Sequence, residues 1–530
     1  MSERHVALVS YANVSYGGKV RGPVPSGLML EGTPHLAGRL LKEGYIPRIF
    51  DFNSVRGVRR LAESGSEAYE KECAQEIISY AREHEAKLVG FTLYSNGFKG
   101  TVRIAEMVRE TLPGIFIMGG GPLTTWVEKA IFRYTDAFDV LCIGEGDLSL
   151  PRTADSIYDG SMSFSDAPNL LFKDGSRTRR EVTNISELPF PTYDPQFYPD
   201  IKHKIQIPVC RGSVGCRYGQ CSFCIQPKTD GPFRIRNIDN LLQEIYYLKE
   251  EHSFSRIRLS DPNPPPKEMV RIAEGIESRF PGQMKVSSFN YADALYNFEK
   301  TKKIQAGAFV GIESFDFETL LKLNKTRNPE KYVRDATSLI ETAKKQGIPS
   351  VVAIIVPVAN DTIRRIEYDY NMVKELNPDF VVGVALGPLP GTQDYFSALN
   401  LGEESGIRLS PDYEHELMLW ELDLLQPPSA WSPPPWELKV DGKFCGNPFL
   451  INHKHFLGKL IEEGFEPVAD EIVLMADLFY NGLPTEQNER RQKIIHFNKE
   501  IRKSIATSDY ESLEKIVTVI NHNQKSSLRR

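Results

Sequence analysis

The chain has 530 residues, of which 41% are hydrophobic and 25% are charged, and its formal net charge is −6 at pH 7. This length exceeds one typical core and predicts two to four domains, and the acidic balance argues against a nucleic-acid partner. The most apolar run, IPSVVAIIVPVA at 348–359, is shorter than the roughly 18–20 residues that cross a bilayer, so we expect no membrane span. Seven cysteines, odd in number and mostly clustered, do not form a disulfide framework and predict a reduced, cytoplasmic setting.

Strand-like and helix-like segments alternate through residues 1–150. Apolar runs predict five strands, at 5–12, 46–53, 87–95, 115–121 and 138–147. Segments of helical periodicity separate them, and this alternation predicts a parallel sheet covered on both faces. We therefore expect an α/β, doubly wound Rossmann- or flavodoxin-like domain. Residues 151–204, polar and rich in turns, are predicted to be a linker that contains a hairpin at NLLFKDGSRTRREV (169–182).

A second alternation of strands and helices occupies residues 205–400. It contains six β/α units, counting the strand before the cysteines, which is fewer than the eight of a closed TIM barrel. We therefore expect a partial TIM-like barrel. Residues 401–530 have a mostly helical, charged pattern and are predicted to form a C-terminal domain that covers the barrel and shapes substrate specificity.

Glycines and short polar residues follow three strands of the predicted N-terminal sheet. The segments are TLYSNG at 92–97, GGGP at 119–122 and IGEGD at 143–147. Ligands bind beyond the carboxyl ends of such strands, and consecutive glycines let the backbone approach a flat or anionic ligand closely. Tight turns without a ligand are the alternative. No GxGxxG opens the first helix, so a dinucleotide site is not predicted.

Four cysteines lie within fifteen residues, in the stretch CRGSVGCRYGQCSFC at 210–224. The thiolates of Cys216, Cys221 and Cys224 can converge on one metal centre. A structural zinc site needs four ligands, and only Cys210 and His203 are near enough in sequence to supply the fourth. An iron–sulfur cluster held by three cysteines would leave one iron open for a ligand. The spacing favours the cluster, and a zinc-stabilised binding module stays open as the alternative.

Several motifs in order along the chain resemble one family. CRYGQCSFC at 216–224, after the first strand of an incomplete barrel, resembles the cluster loop of the radical SAM superfamily, with one residue more than the commonest CxxxCxxC spacing. Four further segments match that family's pattern, namely FVGIESFDFETLLKLNK (309–325), PLPGTQDY (388–395), MGGGPLTT with FDVLCIGEGD (118–147) and ISELPFPTYD (185–194). Over residues 5–400 the chain is therefore similar to radical SAM enzymes with a cobalamin-binding domain, the class B radical SAM methyltransferases.

This resemblance implies three cofactors, a 4Fe–4S cluster, S-adenosylmethionine (SAM) and cobalamin. The cluster ligands would be Cys216, Cys221 and Cys224, and the residues expected to contact SAM are Phe223, Asp261, Asn290, Asp293, Glu313 and Ser314. The residues expected to face cobalamin are Thr92, Ser95, Gly119, Gly120, Gly121 and Gly144. The DxHxxG motif, whose histidine ligates cobalt in other cobalamin domains, is absent. No catalytic residue is assigned.

The function implied by the resemblance is cobalamin-dependent methyl transfer to an unactivated carbon, by way of a 5′-deoxyadenosyl radical and methylcobalamin. A radical rearrangement, cyclisation or oxidation without methyl transfer is the first alternative, and the non-catalytic zinc module is the second. The expected partners are a small-molecule, lipid or peptide substrate and an electron donor of the flavodoxin or ferredoxin type. Neither the role of Cys210 nor that of the isolated Cys445 follows from the resemblance.

Overall fold

The structure, a computed structural model, describes residues 3–16, 19–30, 32–423 and 425–526. An N-terminal α/β region comes first. Its strands are β1 (His5–Ser10), β2 (Val14–Tyr16), β3 (Lys19–Gly22), β4 (Ile46–Asp51), β5 (Leu88–Thr92), β6 (Phe116–Gly120), β7 (Val140–Cys142) and β8 (Leu170–Phe172). Its helices are α1 (Thr33–Lys42), α2 (Val55–Ser64), α3 (Ser66–Glu83), α4 (Phe98–Thr111), α5 (Pro122–Val127), α6 (Lys129–Tyr134) and α7 (Ser149–Tyr158).

The main N-terminal sheet has six strands in the order β4-β1-β5-β6-β7-β8. The first five are parallel and follow the order of flavodoxin-like folds, whereas β8 runs antiparallel to β7. All six residues of β1 are buried, because helices cover both faces of a central parallel strand. The doubly wound fold is therefore confirmed. The sheet also takes in Leu170–Phe172, beyond the predicted boundary at residue 150, because this apolar segment pairs with the otherwise open edge of β7.

The middle region carries the cysteine loop. Its strands are β9 (Val209–Cys210), β10 (Ser213–Val214), β11 (Arg234–Ile235), β12 (Arg256–Leu259), β13 (Lys285–Ser287), β14 (Phe289–Asn290), β15 (Ala308–Glu313), β16 (Ser350–Ile355) and β17 (Phe380–Val384). Its helices are α8 (Gln226–Asp230), α9 (Ile238–His252), α10 (Pro266–Arg279), α11 (Phe298–Thr301), α12 (Phe317–Lys322), α13 (Pro329–Lys345), α14 (Ile363–Leu376) and α15 (Gln393–Leu401).

These strands form an incomplete barrel of parallel strands. One arc has the order β13-β12-β9 and the other has the order β14-β15-β16-β17. Only Ser288 separates β13 from β14, so the two arcs form one run of six strand positions. This matches the six predicted β/α units. The short antiparallel pair β10-β11 lies outside the run and brackets the cysteine loop and α8.

The C-terminal region is mainly helical. Its strands are β18 (Ile407–Leu409), β19 (Trp436–Val440) and β20 (Lys443–Cys445), and its helices are α16 (Tyr413–Leu419), α17 (Pro448–Asn452), α18 (Gly458–Glu462), α19 (Asp470–Phe479), α20 (Gln487–Ala506) and α21 (Tyr510–Ser526). The antiparallel sheet β18-β19-β20 is an addition to the predicted pattern. Within the described ranges, no helix combines the length and apolarity needed to cross a bilayer.

Helices α19 and α21 seal the first arc of the barrel against solvent. The Gln524 side chain accepts hydrogen bonds from the backbone N–H groups of Ser255 and Arg256, at 3.0 and 2.9 Å. It also donates to the carbonyl oxygens of Gln206 and Arg256, at 2.7 and 2.8 Å. One glutamine thus satisfies backbone groups that an open sheet edge would leave unpaired.

Candidate active site

Cys216, Cys221 and Cys224 are half-buried on the loop between β10 and α8. Burial raises the pKa of Cys221 to about 12; nearby Lys325 opposes this shift, and Glu313 and the other two thiols add to it. The three thiols are therefore near enough to interact electrostatically. In the described part of the chain, neither these thiols nor any other three His, Cys, Asp or Glu side chains are already grouped as metal ligands, so the convergence of the thiols on one cluster stays a prediction from their spacing in the sequence. Three soft thiolate donors on a tight loop fit an iron–sulfur cluster with one open iron.

Cys210 and Cys445, to which the sequence assigned no role, lie apart from this loop. Cys210 is fully buried on β9, where burial raises its pKa well above the ordinary value and Glu244 adds to the shift. It packs in the apolar cluster that contains Ile245 and Ile257. Cys445 lies on β20, where its thiol donates to the carbonyl oxygen of Leu438 at 3.0 Å. Both are structural thiols in this arrangement.

Two later segments of the barrel hold the cysteine loop in place. The backbone N–H of Ser222 donates to the carbonyl oxygen of Leu323, at 2.9 Å, and its hydroxyl donates to Asp394, at 3.1 Å. Asp394 returns a backbone hydrogen bond to Ser222 at 3.1 Å, and the Asn324 amide donates to the Gln220 carbonyl at 2.8 Å. The segments 309–325 and 388–395 therefore converge on the loop, which explains why these two distant motifs occur together.

Polar side chains from the ends of two strands support the first cysteine. The Asn263 amide nitrogen lies 3.8 Å from the Cys216 sulfur, and the Arg217 guanidinium donates to Asn263 at 3.0 and 3.1 Å. Arg217 also pairs with Asp293 at 2.6 Å. Asp293, a predicted SAM contact, thus acts here as a support for the loop. Sequence reasoning missed Asn263, which lies in the proline-rich segment after β12.

A cavity of about 380 Å³ lies inside the barrel. Two predicted SAM contacts, Asn290 and Glu313, line it. The other lining residues are Pro262, Phe289, Tyr291, Phe309, Val310, Gly311, Lys325, Val351, Ala353, Val382, Ala469, Asp470 and Glu471. Its volume is typical of small-molecule sites. The last three of these come from the start of α19, so the C-terminal region contributes to this cavity.

Glu313 and Lys325 form a buried ion pair at the wall of this cavity. The Lys325 ammonium lies 2.9 Å from Glu313 Oε1, and both side chains are 11% exposed. Burial alone would lower the pKa of Lys325, but Glu313 holds it well above the ordinary value. Glu313 adopts φ +67° where the register of β15 shifts, a backbone conformation that concentrates at functional sites. Sequence reasoning missed Lys325, although it is the last residue of the segment FVGIESFDFETLLKLNK (309–325).

Three further predicted SAM contacts, Asp261, Ser314 and Phe223, do not line this cavity. Asp261 is buried, with a pKa raised to about 6 by burial, and it accepts from Gly212 N–H at 2.9 Å and from the Ser213 hydroxyl at 2.5 Å. The buried Ser314 hydroxyl donates to Asp369 at 2.9 Å. Phe223 is half-buried and packs against the apolar core. Asp261 and Ser314 therefore fix the backbone near the site through contacts within the protein.

A second cavity, of about 400 Å³, lies at the carboxyl edge of the N-terminal sheet. We call it the glycine pocket. Its lining residues are Leu8, Gly32, Thr33, His35, Leu36, Gly90, Phe91, Thr92, Tyr94, Met118, Gly120, Gly121, Pro122, Cys142, Gly144, Glu145, Gly146, Asp147, Leu150, Val209, Arg211 and Ser260. Val209, Arg211 and Ser260 belong to the barrel side of the junction, so the pocket lies where the two regions meet.

Missing side chains give the glycine pocket its room. A Cβ on Gly120 would lie 3.8 Å from its nearest neighbour, the Cβ of Cys142. A Cβ on Gly90 would lie 3.4 Å from its nearest neighbour, the Cδ2 of Leu8. Side chains at these positions would therefore take up space in the pocket itself. A backbone cradle of this kind fits a large, flat cofactor such as a corrinoid.

The predicted cobalamin residues divide between the pocket and the core. Thr92, Gly120, Gly121 and Gly144 line the pocket, whereas Ser95 and Gly119 do not. The prediction for Gly119 does not match its placement, because successive residues of a strand face opposite sides and a Cβ there would come 2.7 Å from Leu141. Ser95 lies in the turn before α4, where its carbonyl oxygen accepts from the Phe98 N–H at 3.4 Å.

Two arginine–carboxylate pairs join the glycine pocket to the barrel. Arg211 donates both terminal nitrogens to Asp147, at 3.0 and 3.2 Å. Arg234 does the same to Glu145, at 2.7 and 3.0 Å. Paired hydrogen bonds of this kind fix orientation as well as distance. The GEGD segment therefore serves as the contact between the N-terminal sheet and the strands that flank the cysteine loop.

Two family models match the chain. The model of the B12 binding domain matches residues 61–154, which include β5, β6 and β7 and most of the glycines of the pocket. The model of the radical SAM superfamily matches residues 211–373, which include the cysteine loop and the strands through β16.

Curated relatives and solved structures agree with these matches. An uncharacterized methyltransferase of Pyrococcus horikoshii is 24% identical over 348 residues, 62% of this chain and 72% of that protein. The anaerobic magnesium-protoporphyrin IX monomethyl ester cyclase of Rubrivivax gelatinosus is 22% identical over 319 residues, 57% of each chain.

Among solved structures, the radical S-adenosylmethionine methyltransferase TsrM from Kitasatospora setae, with cobalamin and a 4Fe–4S cluster bound, superposes with a TM-score of 0.68 at 14% identity. That match covers 95% of this chain and 100% of TsrM. The cobalamin-dependent radical enzyme OxsB gives a TM-score of 0.59 at 14% identity over 99% of this chain and 80% of its own. The chain thus contains a region that matches the B12 binding domain, at residues 61–154, followed by a region that matches the radical SAM superfamily, at residues 211–373.

Proposed function

We propose that this chain is a cobalamin-dependent radical SAM methyltransferase that adds a methyl group to an unactivated carbon. The observation that carries the proposal is that residues of the barrel, next to the cysteine loop, line the glycine pocket. Arg211, five residues before the first loop cysteine, and Ser260, directly after β12, both line the glycine pocket. A methyl carrier in that pocket would therefore sit against the same barrel that holds the radical-forming site. The methyltransferase relative of Pyrococcus horikoshii supports the same reaction class.

The residues present fit the implied cofactors. The three loop thiols suit the cluster, and the glycine pocket suits a corrinoid through Thr92, Gly120, Gly121 and Gly144. When bound, the cluster and SAM supply a 5′-deoxyadenosyl radical, and cobalamin supplies a transferable methyl group. The protein contributes binding, orientation and shielding from solvent.

The chain's own residues have distinct tasks in this proposal. Asn290 and Glu313 offer hydrogen-bonding groups to SAM from the wall of the barrel cavity. Lys325 orients the Glu313 carboxylate through their ion pair. Helices α19 and α21 keep water from the first arc of the barrel through Gln524 and the Arg256–Asp477 pair. Phe223, Asp261, Asp293 and Ser314 would act on SAM by contact or by fixing the backbone near it.

The wider organisation is also proposed. Residues 1–150 would form the cobalamin-binding domain, 151–204 the linker, 205–400 the radical SAM barrel and 401–530 the cover that shapes specificity. The substrate would be a small molecule, a lipid or a peptide, and a flavodoxin or ferredoxin would donate the electron. A cytoplasmic site of action fits seven cysteines that all lack disulfide partners.

The products of SAM cleavage test the proposal. Protein reconstituted anaerobically with iron, sulfide and cobalamin would be given SAM and a strong reductant, and its nucleosides would be quantified by mass spectrometry. A methyltransferase of this type forms S-adenosylhomocysteine and 5′-deoxyadenosine together. If neither nucleoside forms on protein with an intact cluster, the radical proposal is wrong.

Radical cyclisation, rearrangement or oxidation without methyl transfer is the second candidate. The similarity to the anaerobic cyclase of Rubrivivax gelatinosus favours it. In that case 5′-deoxyadenosine forms in the assay above without S-adenosylhomocysteine. The zinc-stabilised binding module, the third candidate, predicts zinc and no iron after anaerobic purification, which metal analysis distinguishes directly.

A further inference from the structure

The charged side chains that line the glycine pocket are already matched within the protein. Asp147 pairs with Arg211 at 3.0 Å, and Glu145 pairs with Arg234 at 2.7 Å. His35 is buried, and its burial together with nearby Arg211 lowers its pKa, so the ring is neutral at pH 7. Its Nε2 lies 2.8 Å from the Val209 carbonyl oxygen. The lining together with Arg234, which lies outside it, therefore brings no net charge to a ligand.

Arg180 does not itself line this pocket, but it brings an unmatched positive charge next to the lining residue Gly144. Within the ranges that the structure describes, its side chain forms no hydrogen bond or ion pair, whereas Arg177 pairs with Glu128 and Arg179 with Glu181. All three arginines follow β8 on an exposed segment. Arg180 thus differs from its neighbours in lacking a partner, although the segment's composition is uniform.

Two observations place the Arg180 guanidinium against the pocket wall. A Cβ built on Gly144 would lie 2.9 Å from both terminal nitrogens of Arg180, and Gly144 has φ +90°. The pKa of Cys142 is raised to about 11 by burial, with Arg180 among the groups that oppose the rise. Gly144 and Cys142 both line the glycine pocket. The absence of a side chain at Gly144 is what lets the guanidinium lie there.

We propose that Arg180 binds the phosphodiester group of the cofactor in the glycine pocket. This inference rests on the proposed function, since it requires the pocket to take cobalamin. The nucleotide segment of cobalamin carries one phosphodiester, which is its single fixed negative charge and matches the single unpaired cation of this wall. A guanidinium presents parallel N–H donors that suit phosphate oxygens. Arg180 is therefore a cofactor-binding residue that distinguishes corrinoids with a nucleotide segment from those without one.

The test compares two corrinoids on the full-length protein. Hydroxocobalamin carries the phosphodiester and dicyanocobinamide lacks it. Dissociation constants of both would be measured by absorbance titration for the wild type and for Arg180→Ala, Arg180→Lys and Arg179→Ala. We expect Arg180→Ala to weaken hydroxocobalamin binding by about 10- to 100-fold and to leave dicyanocobinamide binding unchanged. Arg180→Lys retains part of the affinity, and Arg179→Ala, whose side chain is engaged with Glu181, retains all of it.

The outcomes separate this inference from the proposed function. If the wild type binds hydroxocobalamin and Arg180→Ala binds it equally well, Arg180 has no such role and the cobalamin proposal stands. If Arg180→Ala weakens both corrinoids equally, the effect is a general one on the fold and the inference is wrong. If the wild type binds neither corrinoid, the cobalamin part of the proposed function fails and takes this inference with it. Far-ultraviolet circular dichroism of each variant confirms that it is folded.

Discussion

The two cavities of this protein differ in what forms their walls. The glycine pocket owes its shape to backbone and to absent side chains at Gly90 and Gly120, and its lining carboxylates are tied up in ion pairs with arginines. The barrel cavity is lined mostly by apolar side chains, and the buried Glu313–Lys325 ion pair forms part of its wall. The first therefore selects a ligand mainly by shape, and the second adds a buried ion pair and hydrogen-bonding groups to an apolar wall. Substitutions in each region should disturb one cofactor and spare the other.

The largest expected effect is at the cysteine loop. Cys221→Ala removes one of three thiolate ligands, and we expect iron to fall from about four atoms per chain to a small fraction of that. Cobalamin binding should be unchanged, because the glycine pocket does not include Cys221. Iron and sulfide analysis with the cluster's visible absorbance measures the loss. Cys210→Ala is the control and should keep its iron; loss of iron there would instead make Cys210 a ligand.

The ion pair of the barrel cavity comes next. Lys325→Met leaves the buried Glu313 carboxylate unpaired, so the free energy of unfolding should fall by about 3 kcal/mol. The double variant Lys325→Met with Glu313→Gln should recover part of this loss, because no buried charge remains. Chemical denaturation measures both. Lys322→Met, which breaks the exposed Lys322–Glu318 pair, should cost less than about 1 kcal/mol. An equal effect of the two lysine variants would contradict the charge-based account of the cavity.

Filling the glycine pocket should have a somewhat smaller effect, on binding alone. Gly120→Val places methyl groups in the pocket, and we expect cobalamin affinity to fall about 10- to 100-fold. Cluster content should stay at the wild-type level, which is the reverse of the Cys221→Ala result. Gly114→Val is the matched control, because a Cβ on the exposed Gly114 would meet nothing within 4 Å. Unchanged cobalamin affinity in Gly120→Val would show that the cofactor lies elsewhere.

The junction between the cavities should show the smallest effect and a defined pH dependence. Burial alone would raise the pKa of Asp147, but Arg211 and hydrogen bonding bring it below the ordinary value. A lowered acid pKa stabilises the folded state above the unfolded value, about pH 4, and this stabilisation is lost as pH falls through the folded-state pKa.

Asp147→Asn should therefore lower the free energy of unfolding by about 1.5 kcal/mol at pH 7, and by progressively less below about pH 4. Denaturant unfolding of both proteins across this range measures the difference. Asp136→Asn, at an exposed pair with Lys173, is the control and should have no measurable effect. A difference between Asp147→Asn and the wild type that grows on acidification would contradict the assignment of this carboxylate.

Much of the fold follows from local pattern. The strands of both sheets were predictable because buried parallel strands are continuous apolar runs, as in HVALVS of β1 and SVVAII of β16. The hairpin that contains β8 was predicted, and Leu171 pairs with Arg177 across it, but the pairing of β8 with β7 was not, because it depends on the open edge of β7. The sheet β18-β19-β20 was missed for the same reason, since its three strands are short and pair across a long loop.

The sites divide in a similar way. The cysteine loop was predictable, because spacing alone brings three thiols together. The face of each glycine was not, since GGG contains one residue directed at the core and two that line the pocket, and only the register of β6 decides which. Lys325, Asn263 and Arg180 also escaped prediction. The role of each residue follows from the side chain that it contacts in the folded protein, or from the lack of such a contact. No short sequence motif indicates these contacts.

One measurement tests the central claim most directly, namely that the two cavities serve two cofactors in one reaction. Wild type and Gly120→Val, both reconstituted anaerobically with cluster and cobalamin, would be given SAM and reductant, and both nucleosides would be quantified. The account predicts that the wild type forms 5′-deoxyadenosine and S-adenosylhomocysteine, while Gly120→Val forms 5′-deoxyadenosine with little S-adenosylhomocysteine. Equal S-adenosylhomocysteine from the two proteins would contradict it.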